Sequence, residues 1–246
     1  MRLIKNNLKL EIPEFVCDKP LGDIPYPLAQ QHHFYGFIAP PASGKTSTMI
    51  SLISQKKPAI YRKKFHNVIL VMPQNSINSM KKNIFKDLPD EKIFNELTYE
   101  NLNTIHNNIS EWSQEGLNNL IILDDMGAYL KGSSENVQIL KNIAWNRRHL
   151  KTSVWMLQQS LNSCDLSLRK VYTHLFVWKV SKKEWKLICE EYLPFDREFC
   201  DELYRFVYTH PHDMLLIDLQ NMKLYKNFNE IVLSDDEIEN ELEINT

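Results

Sequence analysis

Short apolar runs alternate with helical segments along most of the chain, and this alternation limits the possible fold more than any other feature. Runs of β-branched, aliphatic and aromatic residues predict five strands, at 34–38, 67–72, 120–123, 153–157 and 175–180. Segments of helical composition or spacing follow or separate them, at 45–55, 99–112, 133–148 and 166–172. Strands that alternate with helices favour a parallel sheet with helices on both faces. A chain of 246 residues is long enough to bury the core of one such domain.

The two ends of the chain differ from this α/β body. Four prolines among the first thirty residues predict an irregular or edge-strand lead-in over 1–30. After the fifth strand, two helices (183–192 and 196–209) and a β-hairpin (214–218 with 223–228) complete a domain over 31–234. The last twelve residues, 235–246, hold six acidic and no basic residues, and we expect this tail to be disordered. Without it, 29 basic residues face 25 acidic ones, a balance compatible with a polyanionic partner and with an ordinary solvated surface.

The segment "APPASGKT" (39–46) lies between the first predicted strand and the helix that follows it. Its end matches the phosphate-loop consensus G-x-x-x-x-G-K-[ST], but Ala39 stands where the consensus begins with glycine. In such a loop, backbone N–H groups surround a phosphate at a helix N-terminus, the lysine reaches the β- and γ-phosphates, and the hydroxyl binds Mg²⁺. The residues expected to bind ATP are Ala42, Ser43, Gly44, Lys45, Thr46 and Ser47, with Thr46 also on Mg²⁺.

A pair of acids ends the third predicted strand. Asp124 and Asp125 follow the apolar run at 120–123, about where P-loop ATPases carry their acidic motif. The first acid after that strand holds Mg²⁺ opposite the loop hydroxyl, and a second acid can polarise the attacking water. We therefore assign Asp124 to the metal and Asp125 to catalysis.

Polar and basic residues near the fourth strand are further candidates. Gln159 comes just after that strand, where its amide could touch both the γ-phosphate and the attacking water. Arg147 and Arg148 end the preceding helix, and Arg169 precedes the fifth strand. In a ring of subunits, any one of these arginines could reach a neighbour's γ-phosphate as an arginine finger.

Other features point to structure rather than to chemistry. The apolar runs are too short to span a bilayer and no export signal begins the chain, so we expect no membrane insertion and no secretion. The four cysteines form no CxxC pair and are expected to be reduced thiols. The run His210-x-His212-Asp213 has a metal-like spacing, but no further ligand cluster supports it, so we expect a turn there.

Taken together, the residues predict an α/β P-loop NTPase of the additional-strand, RecA-like type. Its five core strands would be mostly parallel, with helices on both faces and a C-terminal β-hairpin extension. The strand before Gln159 would lie between the strand of the phosphate loop and the strand of the acidic pair.

Three segments also resemble a known family. The loop "APPASGKTS", the doubled acid in "IILDDM" and the strand in "RRHLKTSVWMLQQS" are similar to those of the genome-packaging ATPases of nucleocytoplasmic large DNA viruses and virophages. These enzymes form the poxvirus-type branch of the FtsK–HerA superfamily. The resemblance covers roughly 19–228, although the family's usual first loop glycine and the glycine before its Arg-His pair are absent here.

The resemblance implies a function and partners. The protein would form a homo-oligomeric ring of five or six subunits and use ATP to drive double-stranded DNA into a preformed capsid. Lys45 and Thr46 carry over as phosphate and Mg²⁺ contacts, Asp124 and Asp125 as the metal-side and catalytic acids, and Gln159 as the sensor. Capsid or portal-vertex proteins would be partners, and the location would be the host cytoplasm at the viral factory, with association with the virion.

Three other functions stay open at the level of sequence. A DNA helicase or replication ATPase could use the same motor, and a nucleotide-binding virion assembly scaffold could bind without turnover. A nucleoside or nucleotide kinase would also carry a phosphate loop, but we find no arginine-rich lid of the kind that closes over donor phosphates.

Overall fold

The computed structural model describes residues 19–78, 80, 83–131 and 133–232. In these residues nine strands form one sheet. They are β1 (Phe34–Ile38), β2 (Asn67–Val71), β3 (Ile93–Phe94), β4 (Asn119–Asp124), β5 (Thr152–Gln158), β6 (His174–Trp178), β7 (Met214–Asp218), β8 (Lys223–Lys226) and β9 (Asn229–Glu230). Their order across the sheet is β3-β2-β4-β5-β1-β6-β7-β8-β9.

Eight α-helices connect or follow these strands in the described ranges. They are α1 (Lys45–Ser54), α2 (Gln74–Asn78), α3 (Tyr99–Gln114), α4 (Gly127–Leu130), α5 (Ser134–Trp145), α6 (Leu166–Arg169), α7 (Lys182–Tyr192) and α8 (Arg197–Val207). Side-chain caps fix where the long helices begin, because each accepts a hydrogen bond from an otherwise unpaired N–H of the first turn. The caps are Thr98 for α3, Ser133 for α5, Ser181 for α7 and Asp196 for α8.

The predicted parallel core is confirmed. The strands β2, β4, β5, β1 and β6 run parallel to one another, and β5 lies between β1 and β4 as expected. The predicted hairpin of β7 and β8 is antiparallel and extends the sheet beyond β6. Since the chain must turn back to begin β5 at Thr152, α5 ends at Trp145 rather than at 148. The short β3 was not predicted, because its two residues extend the sheet only by pairing with β2.

Side chains alternate between two apolar cores, one on each face of the sheet. Phe34 and Ile38 of β1 face the core covered by α3, α5, α6, α7 and α8. Tyr35 and Phe37 face the opposite core, which α1 covers together with residues 19–30. Residues 19–30 form neither helix nor strand, yet four of their apolar side chains are buried: Leu21, Ile24, Leu28 and Ala29. The acidic tail at 235–246 lies outside the described residues.

No helix in the described part of the chain is long and apolar enough to cross a bilayer. Cys164, Cys189 and Cys200 are buried and form no disulfide among the described residues, which do not include Cys17.

An aromatic cluster joins β1 to β5. The ring of Trp155, fully buried in β5, stacks on Tyr35 of β1 with centroids 5.9 Å apart and an interplanar angle of 16°. Its indole Nε1 donates to Nε2 of buried His33 over 2.8 Å. Nδ1 of His33 donates to the Gln31 carbonyl over 2.8 Å, and burial lowers the pKa of this histidine well below its ordinary value. The imidazole is therefore neutral, and its one acceptor nitrogen is used by Trp155.

Trp155→Phe is expected to lower the free energy of unfolding by about 1–3 kcal/mol, because it leaves the His33 acceptor unpaired in the core and opens a small cavity. Urea denaturation followed by circular dichroism measures the change. Trp145→Phe is the matched control, since Trp145 is 55% exposed at the end of α5 and should change stability by less than about 0.5 kcal/mol. An equal loss in the two variants would contradict this account of the core.

Candidate active site

One cleft lies at the edge of the sheet where the parallel core strands end. Its walls are the loop after β1 (40–47), the two acids after β4 and Gln159 after β5, with Ser76 and His212 at its margins, and it encloses about 360 Å³. The carboxyl ends of parallel strands meet at one edge, which is why segments far apart in sequence converge there.

Ala39 has an ordinary structural role at the position of the missing glycine. Its methyl group is fully buried in the core under α1, and its N–H donates to the Gln158 carbonyl over 3.1 Å, which prolongs the β1–β5 ladder. The left-handed turns of the loop fall later, at Ala42 (φ 62°) and Gly44 (φ 104°). The loop therefore needs no glycine at 39. It does need one at 44, where the positive φ is unfavourable for any side chain.

The first turn of α1 is open to an anion. Gly44 caps it without a side-chain hydrogen bond, and no acidic residue lies in the first turn. The first N–H groups of a helix lack intrahelical partners, and the helix dipole favours negative charge there. The long helices α3, α5, α7 and α8 instead satisfy one such N–H with their own caps, so α1 is the long helix built to receive a phosphate.

Lys45 and Asp124 form the charged floor of the cleft. Asp124 is only 6% exposed, and burial raises its pKa to about 6 despite the opposing effect of Lys45. Burial also lowers the pKa of Lys45, while Asp124 and Asp125 act to raise it. Thr46 hydrogen-bonds to the Asp124 carboxylate, so a hydroxyl and a carboxylate oxygen meet beside the loop. Hard oxygen ligands of this kind suit Mg²⁺, which usually takes few protein ligands and completes its shell with phosphates and water.

Asp125 is exposed to the cleft and held from two sides. Its N–H donates to the Leu157 carbonyl over 3.0 Å, and its backbone is left-handed (φ 59°), a conformation that aspartate tolerates better than most residues. Nε2 of Gln159 donates to both carboxylate oxygens, at 3.2 and 3.0 Å. The structure thus brings the predicted catalytic acid and the predicted sensor into direct contact, a pairing that the sequence does not reveal.

The three predicted arginines do not lie in the cleft of their own subunit. Arg147 and Arg148 precede β5, whose seven residues separate them from the cleft by about 20 Å. Arg147 donates from Nη1 to the Ala144 carbonyl over 2.9 Å, and burial lowers its pKa. Arg169 is an internal clamp, since its guanidinium binds Glu191 at 2.6 Å, Asn162 at 3.1 Å and the Cys164 carbonyl at 2.9 Å.

His212 is the cleft residue that sequence reasoning left aside. The segment around it forms a turn, as predicted, but the turn reaches the phosphate loop, where Nδ1 of His212 donates to the Ser43 carbonyl over 3.0 Å. No group of three or more His, Cys, Asp or Glu side chains in the described ranges could hold a metal ion. A contact between residues 169 positions apart leaves no local signal in the sequence, so it could not have been found there.

Comparisons with known proteins agree with the fold of this site. The profile of the family described as "Poxvirus A32 protein" matches residues 28–193. No curated protein sequence gives a significant match.

Solved structures share the fold at low sequence identity. B204, the DNA-packaging ATPase from Sulfolobus turreted icosahedral virus, superposes with a TM-score of 0.60 at 12% identity, over 82% of this chain and 98% of that one. The genome-packaging NTPase B204 from Sulfolobus turreted icosahedral virus 2, in complex with ATP-gammaS, gives 0.56 at 13% identity, over 79% and 96%. EssC (ATPases 2 and 3) from Geobacillus thermodenitrificans gives 0.55 at 14% identity, over 86% and 42%.

The raised pKa of the buried Asp124 carboxyl makes the free energy of unfolding depend on pH. Its pKa in the folded protein, about 6, lies above the ordinary 3.8, so folding favours the protonated form and stability falls as the pH rises between these values. In protein without nucleotide or Mg²⁺, Asp124→Asn is therefore expected to raise the free energy of unfolding at pH 8 by about 1–3 kcal/mol. The gain should vanish near pH 4.

Urea denaturation at the two pH values measures this difference. Asp87→Asn is the matched control, because Asp87 is exposed and lies outside the cleft, so its replacement should change stability by less than about 0.5 kcal/mol. A variant at Asp124 that is less stable than the parent at pH 8 would show that Lys45 stabilises the ionised carboxylate more than burial destabilises it.

Proposed function

The chain belongs to the poxvirus A32 protein family, and from that premise we propose that it is an ATP-hydrolysing motor that moves double-stranded viral DNA into a preformed capsid. The observation that carries the proposal is the cleft itself. Lys45, Thr46, Asp124, Asp125 and Gln159 come from three neighbouring strand ends and converge on the open N-terminus of α1. The similar fold of packaging ATPases, one of them in complex with ATP-gammaS, supports the same substrate.

The loop side of the cleft binds the triphosphate. The N–H groups of residues 42–46 and the first turn of α1 surround the β-phosphate, and Lys45 contacts the β- and γ-phosphates. Thr46 and Asp124 would hold Mg²⁺, which would neutralise phosphate charge. Asp124 must be ionised to do so, and the cation and Lys45 favour that form once the site is loaded.

The opposite side of the cleft activates water. A water molecule bound to the Asp125 carboxylate attacks the γ-phosphorus, so a new P–O bond forms while the bond to the bridging β–γ oxygen breaks and ADP leaves. Asp125 orients the water and accepts its hydrogen bond, and Lys45 and the helix N-terminus stabilise the charge on the phosphate oxygens.

Gln159 couples nucleotide to catalysis. Its amide nitrogen binds both carboxylate oxygens of Asp125 and holds the carboxylate in place. When a γ-phosphate fills the cleft, a small rotation lets the same amide donate to it and releases one Asp125 oxygen for the water. Gln159 thus acts as a sensor by exchanging its hydrogen-bond partner, from Asp125 to the γ-phosphate.

The motor works as a ring of subunits around DNA. Because Arg147, Arg148 and Arg169 lie away from the cleft of their own subunit, an arginine finger must come from a neighbour. The guanidinium of Arg169 is held by internal contacts with Glu191, Asn162 and the Cys164 carbonyl, so it could reach a neighbour only by breaking them. Capsid or portal-vertex proteins are the proposed partners, and the host cytoplasm at the viral factory is the proposed place of work.

Two substitutions separate nucleotide binding from hydrolysis. Lys45→Ala removes the phosphate contact and should lower turnover at least about a hundredfold. Asp125→Asn keeps the polar shape of the side chain but loses its charge, so it should bind ATP within a few-fold of the parent while turnover falls about 10²–10⁴-fold. Phosphate release and equilibrium ATP binding measure the two effects.

Asp87→Asn is the matched control, because Asp87 is an exposed aspartate away from the cleft. Turnover near that of the parent in Asp125→Asn would remove this residue from the mechanism. A parent protein that binds ATP without hydrolysing it, with or without DNA, would favour an assembly scaffold.

Duplex DNA should stimulate the ATPase, and the stimulation should fall steeply with added salt because phosphate contacts release counterions.

With a non-hydrolysable ATP analogue and duplex DNA, the mass in solution should correspond to five or six subunits. A persistent monomer would contradict the trans arginine, and efficient strand separation would identify a helicase instead.

A further inference from the structure

We propose that His212 recognises the nucleoside of the bound nucleotide, through a contact with its base or ribose. This inference rests on the proposed function, since it takes the occupant of the cleft to be a nucleoside triphosphate. It adds a specificity-determining residue on the side of the cleft that carries none of the hydrolytic groups.

The order of the strands gives the direction of the nucleotide. Across the sheet, β5 and β4 lie on one side of β1, and β6 and β7 lie on the other. Asp124, Asp125 and Gln159 follow β4 and β5, so the γ-phosphate points to that side. The nucleoside at the other end of the phosphate chain must then leave the loop toward β6 and β7.

His212 stands on that second side. β7 is antiparallel to β6 and begins with Met214 opposite Trp178, so the turn before β7 reaches the same edge of the sheet as the phosphate loop. A Cβ built on Gly44 would lie 3.6 Å from Nδ1 of His212 and 3.7 Å from Nε1 of Trp178. The imidazole therefore borders the loop where the α-phosphate and the sugar would emerge.

The contact with the loop shows which ring nitrogen donates. Because a carbonyl can only accept, Nδ1 of His212 carries the proton that it donates to Ser43. In the tautomer with its proton on Nδ1, Nε2 is a hydrogen-bond acceptor. Among the described residues, Nε2 has no hydrogen-bond partner, and the side chain is exposed. It can accept from a ribose hydroxyl or a base amine, and its ring face can pack on a purine.

The turn that carries His212 is held in place by a buried carboxylate. Asp213, only 7% exposed, accepts from the N–H of His210 at 2.7 Å, from the N–H of Thr209 at 3.0 Å and from Nδ2 of Asn227 at 2.8 Å. This network holds His212 in the left-handed region (φ 70°), which is unfavourable for a residue other than glycine. The imidazole is thus presented by a fixed turn rather than by a loose loop.

Binding of ATP and of inorganic tripolyphosphate separates a nucleoside contact from simple support of the loop. His212→Ala and His212→Asn should each weaken ATP binding about tenfold, the loss of one good contact, and leave tripolyphosphate binding within about twofold. Asparagine tolerates the left-handed backbone, so the second variant removes the ring without straining the turn. In turnover, the loss should appear in KM rather than in kcat.

His210→Ala is the matched control, because His210 is an exposed histidine of the same turn that does not line the cleft. Equal loss of ATP and tripolyphosphate binding in both His212 variants would show that the residue only supports the phosphate loop and would overturn the proposal, as would unchanged ATP binding. A parent protein that binds neither ligand would instead refute the proposed function, and the inference with it.

Discussion

The pairing of β5 with both β1 and β4 is the constraint on which the site depends. It aligns Ile38 with Gln158 and Asp124 with Leu157, so the phosphate loop, the acids and Gln159 leave the sheet at the same level. Both ladders continue one residue past the strands, through the N–H groups of Ala39 and Asp125. A slip of one residue would turn alternate side chains to the wrong face and separate these groups. Trp155 lies in the middle of β5. The same strand therefore packs into the core that fixes the register with β1 and β4 and leads directly to Gln159 in the cleft.

Several features of the cleft oppose folding, as is common where a site is built to bind a ligand. Asp124 is a buried carboxylate with a raised pKa, Lys45 loses hydration beside it, and α1 begins without a side-chain cap. Three residues other than glycine that line the cleft have left-handed backbones: Ala42, Asp125 and His212. Each of these features costs stability in the folded protein. In the proposed function, a bound triphosphate with Mg²⁺ would supply negative charge to α1 and Lys45 and positive charge to Asp124. The charges of the cleft therefore suit the ligand that we propose.

How far the sequence predicts this molecule depends on how local each signal is. The five core strands and α1 could be predicted, because apolar runs and the residues of the phosphate loop are contiguous. The position of β5 between β1 and β4 followed from recognising the P-loop class. The role of Ala39 could not be predicted, since only the structure shows that the left-handed turn falls at Ala42 instead. The hydrogen bonds from Gln159 to Asp125 and from His212 to the Ser43 carbonyl join segments that are distant in the sequence. No spacing or periodicity in the sequence predicts them. The arginines were predicted from position along the chain, which says nothing about which edge of the sheet they occupy.

The geometry also divides the work of the cleft between two parts of the fold. The groups that we propose for hydrolysis follow β4 and β5 on one side of β1, whereas His212 lies in the turn before β7 on the other side. The phosphate loop lies between them and touches both, through Lys45 beside Asp124 and through the Ser43 carbonyl beside His212. Because the two sides share no hydrogen bond among the described residues except through this loop, we expect a change in the turn before β7 to alter how tightly a nucleotide is held without moving Asp124 and Asp125. Movement of the loop would affect both sides, so we infer that the loop would couple nucleoside binding to hydrolysis.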